Sequence, residues 1–213
     1  MTVNAPISIM NIALVLLGQR EGTAPSEQTK SMQFANGRYE SIRDIVLTQG
    51  RWNCATTRAV LAVSSTAPLF GFARQYPLPN DFMRFIGFEE GSFEIPYKIE
   101  ALSDGSGGST RMLLTDEMEA NIKYVFRLTE VAKMDELLKY AIGARLAQEI
   151  ALAVKGDLQQ SGYFKSLSDE AISLAHFIEA DQAAVEVMSG PLWLNSRIAG
   201  SGAAFRSIQD VTS

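Results

Sequence analysis

The stretch Ala120-Asn121-Ile122-Lys123-Tyr124-Val125-Phe126-Arg127-Leu128 decides how this chain is read. Ile122, Tyr124, Phe126 and Leu128 fall on alternate positions, with Lys123, Val125 and Arg127 between them. A period of two sends every second side chain to the same face of a strand. Beyond Leu128 the period changes. From Met134 onward, Leu138, Ile142, Leu146, Ile150 and Val154 stand at successive steps of four, which is one face of a helix. The chain therefore passes from sheet to helix between Leu128 and Met134.

Toward the N-terminus the period of two reaches back to Phe70. Phe72, Arg74 and Tyr76 alternate, as do Phe93, Ile95, Tyr97 and Ile99. Pro77, Pro79, Gly87, Gly91 and residues 103–110 break the runs apart. Gly105-Ser106-Gly107-Gly108-Ser109-Thr110 lacks the Lys-Ser/Thr pair of a phosphate-binding loop and precedes no helix, so it reads as a hairpin loop.

Before Phe70 the spacing is helical. Asn4 and Pro6 suit an N-cap and a first turn, Ile9, Ala13 and Leu16 or Leu17 follow, and Gly18 stops a short helix. Ser26 is the expected N-cap of a helix of about 24 residues, with Glu27 in its first turn. Met32, Ala35, Tyr39, Ile42 and Val46 form its stripe, Gly37 interrupts it, and Gly50 ends it. A short helix is expected over residues 54–63. Past Met134, Ala141, Ala144, Ala147 and Ala151 leave room for a close neighbour, and Gly156 is the stop. Phe164, Leu167, Ala171, Leu174 and Ile178, extended by Val185, mark a last helix. After Ser189, Gly190, Pro191, Gly200 and Gly202 break regular structure, and isolated apolar residues such as Leu192, Trp193, Leu194 and Phe205 cannot bury themselves. The expected fold class is α+β, mainly α. Residues 1–69 and 130–188 make a helical bundle, 70–129 an inserted small antiparallel β region, and 189–213 an extended C-terminal arm.

Composition narrows the function. The chain has 213 residues, 46 % apolar and 20 % charged, a globular balance at a size that buries a core without cross-links. A net charge of −5 argues against a dedicated nucleic-acid binder. A single cysteine, Cys54, and a single histidine, His176, exclude an internal disulfide and His-rich or Cys-rich metal sites. No apolar run reaches the ~18 residues of a membrane span. Residues 12–17 lack a preceding basic residue and run into Gly18-Gln19-Arg20, so they read as a helix and not as a signal peptide. The expectation is a soluble protein of a reducing compartment, without a cofactor.

The residues that carry chemistry elsewhere have plain readings here. His176 has no nucleophile motif to serve. Cys54 packs as a small apolar residue, with only Arg51 and Arg58 nearby to lower its pKa. Glu89-Glu90, Asp116-Glu117 and Asp135-Glu136 are adjacent carboxylates, and adjacent residues of a strand face opposite sides. A glycoside hydrolase needs two carboxyls facing each other across a cleft. Arg145 borders an apolar face, with Glu149 one turn on as its expected partner. That pair reads as a structural ion pair or as a contact between subunits.

Five elements in order carry a resemblance. They are Ala13-Leu14 with Leu17-Gly18; Tyr39 and Arg43 followed by Leu47; Trp52-Asn53-Cys54-Ala55 with Arg58 and Leu61; Tyr76-Pro77-Leu78-Pro79-Asn80-Asp81 leading to Arg84; and Arg145-Leu146-Ala147 with Glu149. Over residues 12–174 the chain resembles the head-to-tail adaptors of short-tailed bacteriophages, often called tail tubular protein A. Cys54 departs from the family, which often has an aromatic residue there. The resemblance implies a virion structural protein at the head–tail junction and no catalysis. Its partners would be copies of itself in a dodecameric ring, the portal protein above, and a tail nozzle or second tail tubular protein below. Genomic DNA would pass through the lumen without specific binding. Tyr39, Arg43, Trp52, Tyr76, Pro79, Asp81 and Arg84 would be fold determinants. Arg145, Glu149, Trp193, Arg197 and Phe205 would contact another subunit or the portal. The alternatives from other classes are a tail-associated cell-wall-degrading glycoside hydrolase and a DNA-binding regulator.

Overall fold

The computed structural model of the chain describes residues 6–88, 95–103 and 109–188, the side chains of 103 and 181–188 excepted. Asn4, the Glu89-Glu90 pair, Gly91, Phe93, the 104–108 loop, the Val185 side chain and the expected arm with Trp193, Arg197 and Phe205 lie outside these residues. Two compact units divide the chain, Met1–His176 and Phe177–Ser213. The first holds two cores.

Helix α1 (Ile7–Leu16) starts at Pro6, whose carbonyl takes the first backbone N–H groups. The Asn11 amide grips both backbone groups of Gly22 at 2.9 and 3.1 Å and so ties the following loop back onto α1. Helix α2 (Lys30–Gln49) begins later than the sequence suggests. Its N-cap is Thr29, whose Oγ1 accepts from Met32 N–H, because Glu27 spends its carboxylate on Thr23 N–H inside the loop. Gly37 lies within the helix, and Met32, Ala35, Tyr39, Ile42 and Val46 are all buried.

Helix α3 (Glu136–Ile150) buries Leu138, Ile142, Leu146 and Ile150 and runs on into a π-helical turn, Ala151–Lys155, closed by Gly156 at φ 68°. Lys155 Nζ reaches the Leu17 carbonyl at 2.8 Å, a cation placed on the electronegative end of α1. Gly143 is where α1 crosses α3. A Cβ added there would stand 2.6 Å from Ile12 Cγ2. Helix α4 (Leu158–Met188) packs through Phe164, Ser168, Ala171, Ile172 and Ala175, and Ser168 donates to the Ala141 carbonyl of α3 at 3.1 Å. Leu174, expected in its stripe, is exposed.

The strand region overturns the expected bundle with a small β appendage. The described residues form two three-stranded antiparallel sheets, and the fold is α+β with a second core in the β region. The first sheet pairs β1 (Thr56–Leu61), β6 (Ala120–Phe126) and β3 (Phe82–Phe88) in the order β1-β6-β3. The second pairs β2 (Arg74–Pro77), β5 (Ser109–Thr115) and β4 (Tyr97–Ser103) in the order β2-β5-β4. Alternation decides the layering. Val125 and the neighbouring Met83 and Ile86 join the helices' core, while Leu61, Ile122 and Tyr124 meet Tyr76, Leu78 and Leu113 in the core between the sheets. The β1-β6-β3 sheet is therefore the middle layer.

The helix expected over residues 54–63 is also corrected. Asn53–Ala55 form one 3-10 turn, Thr56–Leu61 form β1, and residues 62–63 lie past its end. Thr56, Thr57 and Val60 are β-branched and stiff in a helix, and pairing with β6 from Thr56↔Val125 to Leu61↔Ala120 settles the choice. The first and last strands of the β region thus close on each other, and the region starts well before residue 70.

Candidate functional site

Residues from separate stretches of the sequence close on the last turns of α2. A helix end leaves carbonyls without intrahelical partners. Here the Trp52 indole N–H donates to Val46 O at 3.0 Å, and Arg84 Nη1, from β3, donates to Thr48 O at 3.0 Å and Gln49 O at 3.3 Å. A guanidinium at a helix C-terminus faces the negative end of its dipole. Trp52 is 2 % exposed and folds over Gly50, where a Cβ would stand 2.3 Å from the indole nitrogen.

One turn earlier, Arg43 is 6 % exposed and yet charged, so it needs a fixed partner. Asp44 Oδ1 accepts from its Nε and Nη2 at 3.0 and 2.8 Å, and Asp44 Oδ2 faces Arg127 Nε, just past β6, at 3.1 Å. One carboxylate is thereby shared between a helix arginine and a sheet arginine. The Arg43 guanidinium lies 5.8 Å from the Tyr39 ring centroid, within reach of a cation–π contact. Burial holds the Tyr39 phenol above its ordinary pKa, and its hydroxyl has no hydrogen-bond partner.

The remaining expected fold determinants lie in and around the sheets. The Tyr76 hydroxyl donates toward the Glu117 and Met118 carbonyls at 2.8 and 2.9 Å. Pro79 O accepts from Phe82 N at 3.0 Å, turning the chain from β2 into β3. Asp81 Oδ1 accepts from the Tyr124 hydroxyl at 3.2 Å, and burial together with the Asp81 charge pushes that phenol up to about 12. Arg111 Nη2, on β5, donates to Phe82 O of the other sheet, with its guanidinium 5.3 Å from the Phe82 ring centroid. Sequence reasoning passed over Arg111 because an arginine in a strand carries no signal of what lies across the neighbouring sheet.

Arg145 and Glu149 are not each other's partner. Glu149 pairs with Arg38 of α2 at 2.9 Å, while Arg145 Nε is buried without a hydrogen-bond partner, as is Gln148 Oε1 one turn on. The i,i+4 spacing allowed the pair, and α2 running alongside α3 supplied Glu149 with Arg38 instead.

Several of the reactive groups are engaged structurally. Burial pushes the Cys54 thiol up to about 11, so it is protonated at neutral pH and a poor nucleophile. Asp116 Oδ1 accepts from Ala73 N at 2.8 Å, whereas its neighbour Glu117 offers Tyr76 only its backbone carbonyl. Glu136 pairs with Lys139. Among the described residues no group of His, Cys, Asp and Glu could hold a metal ion.

The surface carries one feature the sequence reading missed. A groove of about 650 Å³ lies on the face of the β2-β5-β4 sheet turned away from Tyr76 and Leu113, bordered by the segment from Ser64 to Phe70. Leu69 and Phe70 on its rim are 96 % and 86 % exposed. Leu-Phe beside Pro68 reads as a loop, and whether it points in or out is fixed by the sheet it follows. No family model matches this chain, and no curated protein sequence matches it.

Proposed function

We propose that this chain is a virion structural protein, a head-to-tail adaptor that assembles with copies of itself into a ring between the portal and the tail nozzle, with genomic DNA passing through the lumen. The support is the resemblance in five ordered elements together with where those elements meet. Tyr39, Arg43, Trp52 and Arg84 come from three of the quoted elements and gather along the second half of α2, where Arg84, and Arg127 through the Asp44 carboxylate that also holds Arg43, tie the helix to the middle sheet. A connector under load needs such a joint, because a buried ion pair and capped helix end fix relative geometry even where they add little net stability. The negative net charge fits a channel that lets DNA slide, since a basic lining would gain free energy by releasing counterions from the phosphates.

Mixing the purified chain with purified portal rings tests the reading. Negative-stain images and the mass of the complex should show a closed ring of this protein seated on the portal. A portal whose mass is unchanged at micromolar chain concentration overturns the proposal, and so does peptidoglycan hydrolysis by the pure chain. Arg145→Ala sharpens the assignment of Arg145. Unchanged melting with failed ring assembly marks a contact between subunits, and lowered melting marks a packing role inside the helical core.

A further inference from the structure

We propose that the groove on the outer face of the β2-β5-β4 sheet is the seat for the Trp193 segment of a second copy of this chain. The outer face of an antiparallel sheet is ordinarily polar. Here Leu102, Met112 and Leu114 share it, and the loop that borders it leaves Leu69 and Phe70 in water. Among these apolar side chains sits Gln75, opposite Leu114 in the ladder and 5 % exposed, whose amide Oε1 is buried with no hydrogen-bond partner. An unmet buried acceptor costs free energy that a donor in the right place recovers. The occupant this site calls for is a large apolar body carrying one N–H donor. An indole is that body, and the amide's broad terminal torsion lets Oε1 turn to meet it.

The sequence supplies the occupant. Of the two tryptophans, Trp52 is buried in the helical core and committed to Val46 O. Trp193 stands between Leu192 and Leu194, shortly after α4 ends at Met188. Residues 189–213 span up to ~80 Å if extended, at about 3.3 Å per residue, which is enough to reach a neighbouring molecule. A groove on one copy that takes a segment of the next makes a head-to-tail contact, and such contacts close into rings when the rotation allows. The inference rests on the ring-forming reading above and names the surface through which copies would join.

Thiol cross-linking of full-length chains tests it without a portal. On a Cys54→Ala background, one tagged chain carries Thr66→Cys on the groove's border and an untagged chain keeps Trp193 and carries Asn195→Cys beside it, and the two are mixed with a short bismaleimide. The mixed dimer should exceed either self-linked dimer by about ten-fold, corresponding to ~1.4 kcal/mol of preference. Adding Gln75→Leu to the tagged chain should lower the mixed dimer several-fold. Leu69→Cys serves as a second anchor that touches no core residue, and it should give the same pattern. Equal yields of all three dimers, or no mixed dimer, overturn the proposal. Mixed cross-linking with no binding to portal rings removes the adaptor reading and leaves the groove pairing. Portal binding without mixed cross-linking does the reverse.

Discussion

The two cores of this protein are held by different means. In the helical core most of the buried side chains are announced by local spacing, and the helix ends are finished by side chains from elsewhere: Trp52 and Arg84 on α2, Lys155 on the end of α1. In the core between the sheets the partners are remote in sequence. β1 pairs with β6 across the whole β region, Tyr76 stands opposite Leu113 in the β2–β5 ladder, and both meet Ile122 only because two sheets stack. Local order makes the helices; long-range pairing makes the sheets; and the middle sheet belongs to both cores. A substitution at the joint should therefore cost more than one confined to either side.

Trp52→Ala breaks the comparison most directly. It removes the largest side chain in the joint and leaves the Val46 carbonyl without its indole donor. Truncating a buried tryptophan costs about 3–5 kcal/mol, and urea unfolding should show that loss in the midpoint. Trp52→Phe keeps most of the packing and removes the hydrogen bond, so it should cost about 1–2 kcal/mol. If both variants melt like the parent, the joint is not what holds helices and sheets together.

The same division explains how much was legible in the sequence. Leu138, Ile142, Leu146 and Ile150 announce α3 because a helix repeats within one stretch of chain. The alternation at Ile122 and Tyr124 announces β6 for the same reason. Which sheet a strand enters is set by partners far away, so the division into two sheets was invisible, and Thr56–Leu61 read as a helix until β6 lay beside it. The arginines show the same limit. The resemblance singles out Arg84, but nothing in its neighbourhood in the sequence says that it caps α2. Glu149 looked paired with Arg145 at helical spacing, and the salt bridge goes to Arg38 on another helix. The groove was equally hidden, since Leu69-Phe70 beside Pro68 does not say which way the loop faces, and the unmet amide of Gln75 exists only once the sheet is folded.

Within the helical core, Gly143→Ala probes the close crossing of α1 and α3. The new Cβ would lie 2.6 Å from Ile12 Cγ2 and 2.8 Å from Ile12 Cβ, a branch point held by its own backbone. Overpacking costs about 1–3 kcal/mol, and the better helix propensity of alanine returns up to about 1, so a net loss of about 1–2 kcal/mol is expected. Denaturant unfolding that shows no loss would mean α1 shifts freely, contrary to a tightly fixed helical core. Arg84→Met tests the tie from the sheet side. It keeps an apolar stem and removes the cation from the Thr48 and Gln49 carbonyls, and should lower stability by about 1 kcal/mol in thermal melts, less at high salt.

The core between the sheets responds to alkali. Tyr124 titrates at about 12 in the folded protein because of burial first and then Asp81, against an ordinary value of 10.0. From about pH 10 to about 12 the folded chain holds a proton that the unfolded chain has released, so this contribution to stability is complete below pH 10 and is lost as the pH climbs through that window. Melting temperature recorded between pH 9 and pH 12 should fall more steeply for the parent than for Tyr124→Phe, which has no phenol to ionise there. Parallel curves would show that the Tyr124–Asp81 contact is not felt by the fold.

The smallest effect has the opposite sign and is the sharpest test of why the helices form. Gly37 lies inside α2 as Gly143 lies inside α3, yet the same substitution should act in reverse. A Cβ at Gly37 meets nothing within 4 Å, its backbone is helical, and the position is exposed. Alanine there adds no strain and removes backbone freedom from the unfolded chain, worth about 0.4–1 kcal/mol of added stability. The folded contacts of α2 stay as they are, so the rise in melting temperature should come with an unchanged denaturant slope. If Gly37→Ala destabilises instead, α2 needs its glycine for a bend or a partner on that exposed face, and the helical core is not as self-sufficient as its regular spacing implies.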